Sequence, residues 1–132
     1  MRQEDTCDVV VVGGGTAAFA AAASAKLHGA DRVIVLEKAP ESNSGGNARY
    51  SVTGFRFVHE GAKEIREFLP YFSDEEFGHM HHPPYTAEHF RDDLQRMTRG
   101  RINPELAKKL IDESNSALHW LLELGQAFEP MT

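Results

Sequence analysis

The sequence contains a single cysteine and has no excess of basic residues. With Cys7 alone, no disulfide can form within the chain, which is typical of a protein of the reducing cytoplasm. Lysine and arginine together number 14 against 20 aspartates and glutamates, so the formal net charge is -6. Nucleic acids and anionic membrane surfaces both require a basic protein face, so this charge argues against either as a main partner. We therefore expect a cytoplasmic protein that binds no nucleic acid.

The chain also lacks an apolar run of the kind that crosses a membrane. Its longest uncharged stretch, residues 9–25, contains three consecutive glycines and is then mostly alanine. A spanning helix needs about 20 strongly apolar residues. A signal peptide begins with a positive flank, whereas Glu4, Asp5 and Asp8 precede this stretch. We expect neither a signal peptide nor stable membrane insertion.

A β-α-β unit is predicted near the start of the chain. Residues 8–12 form a β-branched run that is too short for a helix and is typical of a parallel strand buried on both faces. Residues 16–28 are rich in alanine and stop before Gly29, as a helix does, and residues 32–37 form a second apolar strand. Strand, helix and strand in this order make a right-handed crossover with parallel strands. The predicted fold class is α/β, with a Rossmann-like unit followed by a mainly helical segment.

The predicted sheet is incomplete. Residues 38–61 are rich in glycine, asparagine, serine and proline and are predicted to form a loop, with a short bulged strand over residues 50–58. A doubly wound domain needs about four to six strands, and only two are evident. We therefore expect a fragment: residues 1–61 as the N-terminal part of a Rossmann-like domain, and residues 62–132 as a helical segment that continues it. The remaining strands and a substrate cap domain would be absent.

Three N-terminal capping signals predict helices in the second half of the chain. Ser73 has the spacing of a capping box, and Thr86 precedes a second helical pattern that ends at Gly100. Asn103 with Pro104 is an N-cap followed by proline at the first helical position. The apolar faces are predicted to comprise Phe90, Leu94 and Met97 in one helix and Leu106, Leu110, Ala117, Leu118, Leu121 and Leu122 in the next.

The turn after the first strand has the small residues that a dinucleotide site requires. Gly13 permits the tight turn, Gly15 leaves room for a pyrophosphate, and Ala18 lets the helix pack closely on the sheet. The backbone N–H groups of Thr16 and Ala17 begin the helix, where the helix dipole favours negative charge. The pattern predicts a phosphate-binding turn.

An acidic residue at the end of the second strand fits the same site. A carboxylate at Glu37, with Lys38 beside it, can accept hydrogen bonds from both ribose hydroxyls of an adenosine, and it would repel a 2′-phosphate. This disfavours NADP. FAD and NAD share the adenosine half, so these residues do not separate them.

The loop that follows resembles that of a flavoprotein family. The family includes fumarate reductase, succinate dehydrogenase and the ketosteroid dehydrogenases, and its members carry a Gly-Gly-Asn-Ser/Thr loop and a small-residue turn that line the flavin. The closest similarity is to FAD-dependent tricarballylate dehydrogenases, through residues 101–110 and 119–125. The matching loop residues are Gly45, Gly46 and Asn47, while Ala48 replaces the usual hydroxyl residue and Thr53 with Gly54 replaces a Gly-Gly pair.

The resemblance implies FAD as the cofactor and hydride transfer across a C–C bond next to the carboxylates of a di- or tricarboxylate substrate. Family members with covalent flavin use a histidine that residues 47–54 lack, so non-covalent FAD is expected. A redox partner for flavin reoxidation is also implied. The family's substrate-clamping residues come mostly from its cap domain, so no catalytic residue is assigned; Arg49 would be a neighbour of the flavin. Two alternatives stay open, namely an NAD-linked dehydrogenase and a truncated module without turnover.

Two further features are interpreted as structural. The cluster of His79, His81, His82 and His89 lies near two prolines without a carboxylate or cysteine at firm ligand spacing, so we interpret it as solvated loop histidines rather than a metal site. Trp120 stands among leucines and is predicted to belong to the core.

Overall fold

The computed structural model describes residues 6–51 and 54–130. It divides into two compact units, Met1–Val52 and Thr53–Thr132, and each is considered by itself. The division after residue 61 stays a prediction about domain organisation. Within the described residues, no helix is both long and apolar enough to cross a membrane.

The first unit contains the predicted β-α-β crossover. Strand β1 (Val9–Val12), helix α1 (Thr16–Leu27) and strand β2 (Val33–Leu36) follow in order, and the two strands pair in parallel. Val9 pairs with Val33 and Val12 with Leu36. The helix ends at the predicted glycine, since Gly29 has a φ of 95° that suits a residue without a Cβ. The predicted α/β fold class is therefore confirmed.

The prediction that the strands are buried on both faces is wrong for the described chain. Alternate residues of β1 are half-buried, but Val10 is 51% exposed and Val12 is 83% exposed. Leu36 of β2 is exposed as well. One helix can cover only one face of a two-stranded sheet, so an apolar face of the sheet remains in contact with water.

The second unit is helical, and its helices begin at the predicted caps. Helices α2 to α5 comprise Ala62–Phe68, Asp74–Gly78, Ala87–Thr98 and Pro104–Glu123. The side chains of Ser73 and Thr86 each accept a hydrogen bond from the backbone N–H three residues later, and the side chain of that later residue accepts the backbone N–H of the cap residue. The side chain of Asn103 accepts from two backbone N–H groups of α5. The described part of residues 50–58 forms no strand; a single antiparallel bridge instead joins His59 to Tyr85.

The buried face of α5 is rotated from the predicted one. Leu118 is buried as predicted, but Leu106 is 67% exposed and Leu110 and Ala117 are exposed too. The buried residues are Ala107, Ile111, Ser114 and Leu118, whose spacing also fits one helix face. Two of them are small, which allows close approach, and the Ser114 hydroxyl accepts the backbone N–H of Val58 at 3.0 Å. In α4, Phe90 is buried and Leu94 half-buried, whereas Met97 is exposed, contrary to prediction.

A polar cluster ties α2 to α5. The amide of Asn115 donates to the carboxylate of Glu64 and to the backbone carbonyl of Val58, the latter at 2.9 Å. His119 Nε2 lies 3.6 Å from the same carboxylate. Burial acts to raise the pKa of Glu64, but hydrogen bonds from the Glu60 backbone N–H, Asn115 and His119 outweigh it and hold the pKa below the ordinary 4.5. Glu64 is therefore an ionised link between two helices.

Truncation of α5 side chains tests the corrected face of the helix. We expect Leu118→Ala to lower the free energy of unfolding by about 2–5 kcal/mol, because it opens a cavity in the core. Leu106→Ala, the matched control on the same helix, should change it by no more than about 0.5 kcal/mol. Urea unfolding followed by circular dichroism measures both. A larger loss of unfolding free energy for Leu106→Ala than for Leu118→Ala would support the helix face predicted from the sequence.

The Glu64 cluster should make stability fall in acid. The lowered pKa contributes stability that is fully present above pH 4.5, the ordinary value, and is lost as the pH falls through the folded-state pKa. We expect Glu64→Gln to lose less stability than the wild type between neutral pH and pH about 3. Glu67→Gln, on the exposed side of α2, serves as control and should follow the wild type. Parallel curves for wild type and Glu64→Gln would contradict this role.

Candidate cofactor-binding site

The glycine turn joins both strands to the start of α1. Gly13 has a φ of 117°, and its backbone N–H donates to the Leu36 carbonyl at 2.7 Å. The carbonyl of Gly15 accepts the N–H groups of Ala18 and Phe19, which closes the first helical turn. The N–H groups of Thr16 and of Ala17 precede these bonds, so helix geometry gives them no intrahelical acceptor. Among the described residues no side chain caps α1, so this end of the helix is suited to an anion.

The Glu37 carboxylate is fixed at the same turn. Its Oε2 accepts the Gly14 backbone N–H at 2.6 Å, and its Oε1 accepts the Ala39 N–H at 2.7 Å. The Ala39 N–H is the main cause that lowers the pKa of Glu37; burial opposes it, and the N–H groups of Gly14 and Lys38 and the Lys38 charge act in the same direction. The carboxylate is therefore ionised. Each oxygen keeps acceptor capacity for a ribose hydroxyl.

Gly14 was not singled out from the sequence, although the structure gives it a clear role. A Cβ atom at Gly14 would lie 2.8 Å from Glu37 Oε2 and 3.2 Å from Glu37 Cγ. The φ of Gly14 is not positive, so the backbone itself does not demand glycine. The missing side chain instead allows the carboxylate to reach the backbone N–H. The signal in the sequence was a glycine between two others, together with an acidic residue directly after β2.

The second glycine-rich loop packs on the first. A 3₁₀ turn spans Gly46–Tyr50 and follows Gly45, whose φ is 119°. A Cβ on Gly46 would lie 3.3 Å from the Cα of Gly15, and a Cβ on Gly15 would lie 3.6 Å from the Gly45 carbonyl oxygen. The two loops thus meet backbone to backbone. The structure brings the predicted site residues Gly15 and Gly46 together.

The other predicted site residues differ in how they lie. Asn47, Ala48 and Arg49 are exposed on the 3₁₀ turn, and Lys38 is exposed beside Glu37. Thr53 lies outside the described residues, and Gly54 belongs to the second unit. Their roles toward a flavin stay predictions.

The histidines have structural roles that the sequence did not reveal. His82 is half-buried and stacks on Phe77 with ring centroids 4.9 Å apart, and His89 completes the capping box of Thr86. Within residues 6–51 and 54–130, no three His, Cys, Asp or Glu side chains are grouped as metal ligands. Trp120 is half-buried on α5. The description of all the cluster's histidines as solvated was therefore too simple.

Comparison with known proteins agrees with the geometry of the first unit. The protein family described as FAD binding domain matches residues 8–132. A digoxin reductase of Eggerthella lenta is 29% identical over 92% of this chain and 19% of its own length. A fumarate reductase (cytochrome) of Shewanella frigidimarina is 32% identical over 92% of this chain and 18% of its own length. The chain thus spans about a fifth of the length of the curated relatives it matches. No solved structure matches it significantly.

Gly46→Ala tests whether the contact between the loops matters for FAD. The new Cβ would lie 3.3 Å from Gly15 Cα at a φ of 58°, so it should separate the loops and weaken FAD binding by about tenfold. Gly29→Ala is the matched control, because its φ is 95° but nothing lies within 4 Å of its Cβ. Gly29→Ala should introduce similar backbone strain but leave the FAD affinity at the wild-type value. Flavin fluorescence titration measures both, and equal affinity for Gly46→Ala and wild type would contradict the role.

Proposed function

The chain belongs to the FAD binding domain family, and from that premise we propose that it provides the adenosine and pyrophosphate end of the FAD site in a two-electron oxidoreductase. The family confirms FAD over NAD as the cofactor, and the relatives confirm the resemblance to fumarate reductases. The observation that carries the proposal is the contact of two glycine turns, Gly15 against Gly46, beside the fixed carboxylate of Glu37.

The residues of the first unit fit FAD by their donors and by their lack of side chains. The N–H groups of Thr16 and Ala17 would hold the pyrophosphate at the uncapped start of α1. Glu37 would accept both ribose hydroxyls, and its charge would exclude a 2′-phosphate. The turn that begins at Gly46 would carry Asn47 and Ala48 toward the flavin. FAD, when bound, supplies a two-electron acceptor for hydride.

The proposed reaction is hydride transfer across a C–C bond of a di- or tricarboxylate substrate. Fumarate reductases among the relatives favour a carboxylate, and a redox partner would reoxidise or reduce the flavin. The similarity to tricarballylate dehydrogenases in residues 101–110 and 119–125 supports the narrower class. We assign no catalytic residue to this chain and expect the chain by itself to be inactive. The low cysteine content favours a cytoplasmic setting.

A ligand series tests the proposed division of the cofactor site. Equilibrium dialysis of the chain with FAD, FMN, NAD and NADP should give the order FAD, then NAD, with NADP and FMN weakest. FMN lacks the adenosine that Glu37 would hold, and NADP carries the phosphate that Glu37 would repel. NAD binding as tightly as FAD would favour the NAD-linked alternative. Sub-micromolar FAD affinity with a cooperative thermal transition would contradict the expectation that other segments complete the site.

Glu37→Gln should weaken FAD binding by about tenfold, since the amide oxygen still accepts one hydrogen bond but its NH2 group would face the backbone N–H of Gly14 or Ala39. Glu41→Gln, on the next exposed turn, is the control and should bind like the wild type. Glu37→Gln should also discriminate less strongly against NADP, because the charge that would repel the 2′-phosphate is gone. Unchanged discrimination between FAD and NADP would mean that residues other than Glu37 exclude NADP.

Acid precipitation of the FAD-loaded protein should release all yellow colour, and flavin left on the pellet would contradict non-covalent binding.

A further inference from the structure

The second unit contains a cavity of about 760 Å³, a size typical of small-molecule sites. Much of its wall is aromatic. The rings of Phe57 and Phe68 lie 5.1 Å apart edge to face, and Phe128 meets Phe68 at 5.4 Å in the same manner. Tyr71 holds the Phe128 backbone, since its hydroxyl donates to the carbonyl at 2.9 Å and accepts the N–H at 3.0 Å. The wall thus offers a fixed apolar surface.

One guanidinium on the cavity wall has donors to spare. Arg56 contacts the Tyr85 hydroxyl at 3.3 Å and the Asp93 carboxylate, and both contacts are made by Nη1. The guanidinium carbon lies 5.7 Å from the centroid of the Tyr85 ring, and the side chain is 56% exposed. Tyr85 in turn donates to Asp93 at 2.9 Å. The group is therefore held by one edge, and its Nη2 and Nε edge has the fork geometry that matches a carboxylate.

The charges around Arg56 favour an anion. Asp93 is shared, because Arg96 donates to its second oxygen at 2.6 Å. Two guanidinium groups therefore face one carboxylate, which leaves one positive charge. Hydrogen bonds from Arg96 and Tyr85 lower the pKa of Asp93, and the contacts with Tyr85 raise the pKa of Arg56, so both stay charged at neutral pH. Glu129 also lines the cavity but is exposed, where solvent screens its charge.

We propose that this cavity binds a small organic carboxylate with an apolar body. The carboxylate lies on the open edge of the Arg56 guanidinium, and the apolar body lies against Phe57, Phe68 and Phe128. The rings themselves offer no hydrogen-bond donor to a second or third carboxylate, and burying a charge without a donor is costly. This ligand differs from the di- or tricarboxylate substrate proposed above, so the cavity is a second binding site and its assignment does not rest on the proposed function.

Three probes separate charge from shape. Phenylacetate has one carboxylate and a ring, 2-phenylethanol has the ring without the charge, and tricarballylate has three carboxylates without a ring. We expect phenylacetate to bind the chain at least about tenfold more tightly than either of the others. NMR titration without FAD reads out the Arg56 Nε–H and the backbone amides of Phe57, Phe68 and Phe128. Equal or tighter binding of tricarballylate, or no binding of phenylacetate, would overturn the proposal.

Variants locate the carboxylate. Arg56→Gln should weaken phenylacetate binding about tenfold, and Arg56→Lys should weaken it by less, since the charge stays and the fork is lost. Arg91→Gln is the matched control: it removes an exposed guanidinium of α4 that does not line the cavity. It should leave the affinity within about twofold. Equal loss in Arg56→Gln and Arg91→Gln would overturn the assignment. Because FAD is absent, failure here is distinct from failure of the ligand series for the first unit.

Discussion

The close approach of two backbone turns is the constraint on which the first unit depends. Gly15 and Gly46 meet with no side chain between them, and the same region holds the start of α1 and the end of β2. A Cβ at Gly46 would lie 3.3 Å from Gly15 Cα and would push the turns apart, whereas a Cβ at Gly15 would make an ordinary contact at 3.6 Å. At Gly46, glycine is therefore favoured by proximity as well as by its positive φ. Because one turn begins α1 and the other begins the 3₁₀ turn Gly46–Tyr50, this contact fixes the position of each relative to the other.

Local signals in the sequence predicted the fold well. The β-branched runs, the capping residues at 73, 86 and 103 and the glycines that end helices each act within a few residues, so their outcome does not depend on distant parts of the chain. The turn geometry at Gly13, Gly15 and Glu37 was predictable for the same reason, while the roles of these residues toward a cofactor stay predictions. Gly14 was missed because its role is defined by a carboxylate far along the chain.

The failures concern which face of an element is buried. The leucines of α5 suggested one face, but Ala107 and Ser114 let the helix approach its neighbours on another, and the Val58 N–H supplies a partner for the serine hydroxyl. A prediction from residue type considers only the apolar area that a side chain can bury. Packing is also stabilised by small side chains, which allow close approach, and by satisfied hydrogen bonds. For β1, the run of valines correctly indicated a parallel strand, but burial of the second face needs a covering layer that the sequence of the strand cannot specify. The histidines were misinterpreted because ring stacking and capping leave no periodic pattern.

The Glu37 carboxylate has a consequence for the kinetics of recognition. Two backbone N–H groups hold its oxygens in the protein without a ligand, so its rotamer freedom is already lost on folding rather than on association. In the proposed site an arriving ribose would therefore meet an acceptor that is already in place, and binding would not have to select a rotamer. The same two hydrogen bonds keep the Glu37 side chain from rotating away, since rotation would leave two backbone N–H groups without an acceptor. In the proposed site a phosphorylated ribose would meet a rigid charge, and discrimination would then depend on the backbone as much as on the acid.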